Sequence, residues 1–205
     1  MTDKLPSATL NVALLPLPIK WADRQANFEA VEAAMVNLPA GTDVLVLPEL
    51  FSTGYVDDPQ LMRDMAEQTD GETMAKIRQW AASHSVAVGG SFLALEDGRL
   101  YNRGFFVEPS GETTFYDKRH LFSLSAESRI LTPGNDNVPV IRFRGWNIAM
   151  VICYDLRFPV WCRSRNCLFD LLLVPSNWPQ SRGYAFEHLL IARAIENQCA
   201  VAGCD

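Results

Sequence analysis

Two short runs of unbroken apolar residues constrain this chain most: Val44-Leu-Val-Leu47 and Ile148-Ala-Met-Val-Ile152. Each is too short and too rich in β-branched residues for a buried helix. A strand with no polar alternation must be covered on both faces, so the chain needs a sheet with further layers on either side. The first run ends at Pro48 and Glu49. The second ends at Cys153, from which the chain turns through Tyr154 and Asp155 toward an expected helix from 158 to 167. Pro159 suits the first turn of that helix, where a missing N–H costs nothing. A thiol at a strand-to-helix junction lies near the positive end of the helix dipole, which favours thiolate and marks Cys153 as a candidate nucleophile.

The remaining elements alternate. A strand is expected at 11–15, followed by a helix capped by Asp23 with Phe28, Val31, Met35 and Leu38 at helical spacing. Helices follow at 59–67 and 72–83. The turn residues Asp97 and Gly98 join strands 86–95 and 102–108 into a hairpin, and a second turn at Pro109-Ser-Gly111 leads to a strand at 113–117. Patterning fails from 118 to 137, which reads as a long loop with one short helical turn. Long ordered loops in compact domains are often functional. Strands at 140–143 and 171–174, a turn at Arg144-Gly145, a helix at 184–198 with Leu189, Ala192 and Ile195 on one face, and a strand at 200–202 complete the pattern. The sum is one α/β domain over 1–205, either a mixed sheet or two packed sheets covered by helices.

Composition then removes function classes. A net charge of -6 with no long basic run argues against nucleic acid and against an anionic membrane surface. No segment is long and apolar enough to span a bilayer, and the N-terminus lacks a signal-like apolar stretch, so the expected location is cytoplasmic. The five cysteines, an odd number, have no paired spacing of the zinc-binding kind, so reduced thiols and no structural metal are expected.

Three strand ends carry chemistry-bearing groups: Glu49 after 44–47, Lys118 after 113–117 and Cys153 after 148–152. Each has a plain alternative, a solvated carboxylate, a solvated ammonium and a buried structural thiol. Together they supply a base, an oxyanion donor and a nucleophile for acyl transfer. A papain-like pair would instead need one of the three histidines, His84, His120 or His188, beside Cys153. His84 and His188 fall in expected helices, and His120 lies close to Lys118 on extended chain.

Leu47-Pro-Glu-Leu-Phe51, Tyr116-Asp-Lys-Arg-His-Leu-Phe122 and Ile152-Cys-Tyr-Asp-Leu-Arg-Phe-Pro159 resemble, in order, the three signature segments of the nitrilase or carbon-nitrogen hydrolase superfamily. Val174-Pro-Ser-Asn-Trp-Pro179 and Ala192-Arg-Ala-Ile-Glu-Asn197 are similar to its later segments. The resemblance implies an αββα sandwich and a Glu-Lys-Cys triad at Glu49, Lys118 and Cys153, with no cofactor. It also implies a second glutamate near the substrate nitrogen, matched by Glu127, and an oxyanion contact from the Tyr154 N–H. The implied reaction is hydrolysis of a small-molecule amide through a cysteine thioester, with release of ammonia.

The segment around Cys153 and Asn177-Trp178-Pro179 is similar to the ω-amidase branch, whose substrates are monoamides of 2-oxo dicarboxylic acids such as 2-oxoglutaramate. Arg157 would pair with the substrate carboxylate, unless it is tied to a structural carboxylate. Phe51, Phe122 and Trp178 would form apolar walls or ordinary core. The resemblance further implies a homodimer or larger homo-oligomer. Members extend beyond the segment that ends here at Asp205, so the C-terminal part of the second sheet is expected to be missing. Two alternatives follow: another small-amide hydrolase of the superfamily, or a silent fragment that works only on assembly.

Overall fold

The computed structural model describes residues 9–205. Two sheets pack face to face. The first contains β1 (Val12–Leu14), β2 (Val44–Val46), β3 (Ala87–Glu96), β4 (Arg99–Val107) and β5 (Thr113–Asp117), in that spatial order. Its first three strands are parallel and its last three antiparallel. The second contains β6 (Val140–Phe143), β7 (Trp146–Met150), β8 (Leu171–Pro175) and β9 (Ala200–Cys204), with only the β6–β7 pair antiparallel.

The two apolar runs explain the layering. Successive strand side chains point to opposite faces. Val44 and Val46 therefore face the second sheet, packed with Phe106, Ile148, Met150 and Leu173. Leu45 and Leu47 face outward onto α1 (Arg24–Met35) and α3 (Glu72–His84), through Phe28, Val31, Met74, Ile77 and Trp80. Around β7, Ile148, Met150 and Ile152 face the first sheet, while Ala149 and Val151 meet Leu156, Phe169, Phe186 and Leu190 on the other side. The order is helices, sheet, sheet, helix, and the two-sheet alternative is the one realised. At Gly104 the sheets come so close that an added Cβ would lie 2.9 Å from the Met150 Cε.

Several turns fold as their chemistry requires. Asp97 and Gly98 both take positive φ (49° and 72°), as do Arg144 and Gly145 (49° and 90°), giving two-residue hairpins whose twist matches the strands. Asp23 caps α1 by accepting from the Ala26 N–H at 3.1 Å. Asp58 does the same for α2 (Pro59–Met65), accepting from the Leu61 N–H at 2.8 Å. The long loop carries one short helix, α4 (Glu127–Ile130).

Two expectations are corrected. No α-helix runs from 158 to 167: a 3-10 turn, Cys153–Arg157, follows β7, and a second covers Arg165–Cys167. Phe158 is extended ahead of Pro159, as a residue before proline prefers, and Asn166 and Cys167 sit at positive φ. In α5 (Gly183–Asn197) Leu189 and Ala192 are half-buried, but Ile195 is 73% exposed. The buried positions are Arg193 and Asn197, because each side chain bonds inward to a backbone carbonyl, Arg193 to Leu156 and Asn197 to Cys162. Polar residues with inward-facing partners thus set the helix's rotation.

Candidate active site

Glu49, Lys118, Glu127 and Cys153 converge where β2, β5 and β7 end. The Glu49 N–H donates to the Ser176 carbonyl at 3.0 Å, which ties the end of β2 to the segment after β8. The Lys118 N–H donates to the Asn102 carbonyl at 2.9 Å, continuing the β4–β5 ladder one residue past the strand. Cys153 follows β7 with φ of 44°, a conformation that non-glycine residues seldom adopt and that occurs at functional turns. The sharp change of direction brings the thiol out of the sheet and into a cavity.

The charged groups form one buried cluster. Lys118 Nζ donates to Glu49 Oε1 at 2.7 Å and to Glu127 Oε1 and Oε2 at 2.8 and 3.0 Å. Asn102 Nδ2 bridges the same two carboxylates, donating to Glu49 at 2.8 Å and Glu127 at 3.3 Å. Glu49 Oε2 accepts from the Asn177 N–H at 3.0 Å. Glu127 Oε2 accepts from the Phe122 N–H at 2.8 Å and the Tyr55 hydroxyl at 3.0 Å. All lone-pair directions useful for holding Glu127 are therefore taken within the protein, and Glu127 sits behind Lys118 rather than on the cavity wall.

These contacts push the two carboxylates apart. Burial drives Glu49 up, Lys118 opposes it, and the neighbouring Glu127 charge adds to the rise. Burial also acts on Glu127, but the Lys118 charge and hydrogen bonds outweigh it and hold Glu127 below the ordinary range. Burial alone would lower Lys118, yet the two glutamates hold its ammonium well above the usual lysine value. For Cys153, burial and the Glu49 charge raise the thiol well above its ordinary value against the pull of Lys118. This corrects the thiolate expectation. The five-residue 3-10 turn supplies little of the dipole of a helix, and a cluster of two carboxylates and one ammonium disfavours a further negative charge.

The cavity is about 150 Å³, smaller than the roughly 300–1,000 Å³ clefts that take drug-sized ligands. Lys118 and Cys153 are reached from it, and Tyr154, Arg157, Phe122 and Trp178 line it as expected. Arg157 has its guanidinium 5.0 Å above the Trp178 ring and no carboxylate partner among the described residues. Phe51 is corrected: it is fully buried between Phe28, Trp80 and Phe105, on the helix-facing side of the first sheet. No histidine lines the cavity; His120 directs Nδ1 to Asp155 at 2.8 Å and stacks on Phe158.

Sequence reasoning missed five residues. Tyr55, Asn177 and Arg182 line the cavity, and Asn102 bridges the carboxylates. Asn102 had a legible signal: it is the polar member of the phase Leu100, Asn102, Gly104, Phe106, whose other residues are apolar or glycine. Asp155 is the fifth. It is fully buried, with Oδ1 accepting from the His120 N–H and Nδ1 (both 2.8 Å), and Oδ2 from the Tyr116 hydroxyl (2.8 Å) and Ile152 N–H (3.2 Å). One carboxylate thus fastens the turn carrying Cys153 to residues two before and two after Lys118. No group of three or more histidine, cysteine or acidic residues arranged to hold a metal ion occurs among the described residues.

A carboxylate, a lysine and a cysteine at three strand ends of a sandwich of this architecture define a class, and the chain belongs to the carbon-nitrogen hydrolase family, whose match extends over residues 11–205. Among its relatives, omega-amidase YafV of Yersinia enterocolitica is 39% identical over 201 residues, which are 97% of this chain and 75% of that protein. The 2-oxoglutaramate amidase of Bacillus subtilis is 32% identical, over 95% of this chain and 75% of its own length. Among solved structures, XC1258 from Xanthomonas campestris, a CN-hydrolase superfamily protein with an arsenic adduct in its active site, superposes with a TM-score of 0.89 at 37% identity. That match covers 95% of this chain and 74% of XC1258. An amidase from Nesterenkonia sp. AN1, with acrylamide added to its active site cysteine, gives 0.86 at 25% identity over 96% and 78% of the two chains.

Proposed function

We propose that this protein hydrolyses the terminal amide of small dicarboxylic monoamides, 2-oxoglutaramate being the best match, through a thioester on Cys153. The observation that carries the reading is the buried Glu49–Lys118–Glu127 cluster opening beside Cys153 into a small cavity lined by arginine. The relatives' names, an omega-amidase and a 2-oxoglutaramate amidase, agree with it.

At rest the proton is on Cys153 and Glu49 is ionised. As Sγ attacks the amide carbon, Glu49 takes the thiol proton, so the thiolate need not exist beforehand. The carbonyl oxygen gains the negative charge and is held by the Lys118 ammonium and the Tyr154 N–H. Glu49 passes the proton to the nitrogen, the C–N bond breaks, ammonia leaves and an acyl thioester remains. Glu49 then takes a proton from a water that attacks the thioester carbon, and the departing sulfur recovers that proton. The products are a carboxylic acid and free Cys153. Glu127, Asn102 and Tyr55 act by holding Lys118 and Glu49 in register. Arg157 pairs with the substrate carboxylate, with Phe122 and Trp178 as walls.

The reading is tested by ammonia release across a panel of dicarboxylic monoamides, short-chain amides and nitriles, with Lys118→Ala alongside. Monoamides should be turned over fastest, and Lys118→Ala should reduce turnover by at least a hundred-fold, the scale of a lost oxyanion donor. A Lys118→Ala variant retaining most of the activity would point instead to a mechanism without this cation.

A further inference from the structure

The cavity has a cation at each end, compensated at the inner end and uncompensated at the outer one. Its floor is Lys118 beside Cys153, and behind them, off the cavity wall, Glu49 and Glu127 share that single ammonium, so the inner cation is fully compensated. At its mouth stand two exposed guanidiniums, Arg157 over the Trp178 ring at 5.0 Å and Arg182 over the Phe122 ring at 5.3 Å. Neither has an ion pair or side-chain hydrogen bond among the described residues. Arg103 and Arg193, by contrast, are both tied to carboxylates.

Arg182 is also held in place. Its carbonyl accepts from the Trp178 Nε1–H at 3.0 Å, and its N–H donates to the Pro179 carbonyl at 2.7 Å, which fixes the turn that presents it to the cavity. The same tryptophan carries Arg157 on its face, so one side chain anchors the backbone of Arg182 and the guanidinium of Arg157. Stacking on an aromatic face fixes a guanidinium's plane while leaving its N–H edge free for a carboxylate.

We propose that Arg182 is a specificity-determining residue that works with Arg157 as a two-guanidinium cap for the distal carboxylate of the substrate. A monoamide then enters in one orientation. Its anionic end is held at the mouth, where the guanidiniums have no carboxylate of their own, and its neutral amide reaches Cys153. This inference rests on the reading of the protein as a monoamide hydrolase. It adds a second arginine to that reading and makes charge, rather than shape alone, the basis of substrate choice.

The test compares glutaramate with pentanamide, an uncharged amide of the same chain length, by the ratio of their kcat/KM values. In the unmodified protein the ratio should favour glutaramate. Arg182→Leu should collapse it by ten- to a hundred-fold, mainly through KM for glutaramate, and Arg182→Lys should restore part of it, since charge survives without the bidentate fork. If the unmodified protein shows no preference for glutaramate, the monoamide reading itself fails and the cap falls with it. If the preference exists and Arg182→Leu leaves the ratio intact, whether or not both activities fall together, the reading stands and the role of Arg182 is overturned.

Discussion

In the proposed reaction Cys153 is the proton donor and Glu49 the acceptor, and the environments of both resist negative charge. Burial lifts the thiol well above its ordinary value and lifts Glu49 above the ordinary carboxylate range. A glutamate raised in this way is better matched to proton transfer near neutrality, whereas Glu127, held low, stays ionised and anchors Lys118. The acid limb of kcat/KM should therefore lie above the ordinary glutamate value, because the base is lost as pH falls through a raised pKa. The ultraviolet difference spectrum between the unmodified protein and Cys153→Ala should show no thiolate at neutral pH. A thiolate signal there would contradict the charge balance described for the cluster. The sequence exposed the four charged or nucleophilic residues because they end apolar strands or match family segments. It hid the direction of the Cys153 shift, which depends on how many carboxylates surround one ammonium.

The element that positions the proposed nucleophile is the 3-10 turn Cys153–Arg157, and Asp155 is its fastening. Its two oxygens accept from β5, from the segment after Lys118 and from the end of the β7 run. Asp155→Asn would replace one of those acceptors with a donor facing donors, at a cost of about 1–3 kcal/mol per group left unsatisfied. We expect a lower urea midpoint and a kcat reduced by ten-fold or more, since small displacements of reacting groups are costly. KM should change less. A kcat equal to that of the unmodified protein would show that the turn holds itself without Asp155. At this scale the sequence was readable where a single periodicity ruled, as in β5 and β6, whose bounds coincide with those expected. It failed at 158–167, where local preferences before Pro159 and positive φ at Asn166 and Cys167 override a helix-like composition. It also failed for the rotation of α5, where Arg193 and Asn197 are buried by backbone partners that helical periodicity does not reveal.

For the whole molecule, the site is placed in the seam between two sheets, so its charges are taxed by the burial that stabilises the fold. Ionising Glu49 costs the folded state, because its folded pKa is raised. That cost is fully present above the folded value and disappears below the ordinary glutamate value. Glu49→Gln should therefore raise the urea midpoint at neutral pH while abolishing most turnover. Each unit by which Glu49 is raised corresponds to about 1.4 kcal/mol. The gain should shrink as pH falls toward the ordinary glutamate value, and a gain independent of pH would argue against a buried, ionised Glu49. The layered fold itself was legible, because two strands with no polar alternation, β2 and the 148–152 run, require cover on both faces.

The whole proposed reaction turns on Cys153 forming and breaking the bond to the acyl group. The most direct measurement is ammonia release from a dicarboxylic monoamide by the unmodified protein and by Cys153→Ala, side by side, with circular dichroism confirming that both are folded. Turnover is expected from the first and none above background from the second. Release by Cys153→Ala within ten-fold of the unmodified rate would rule out Cys153 as the acyl carrier.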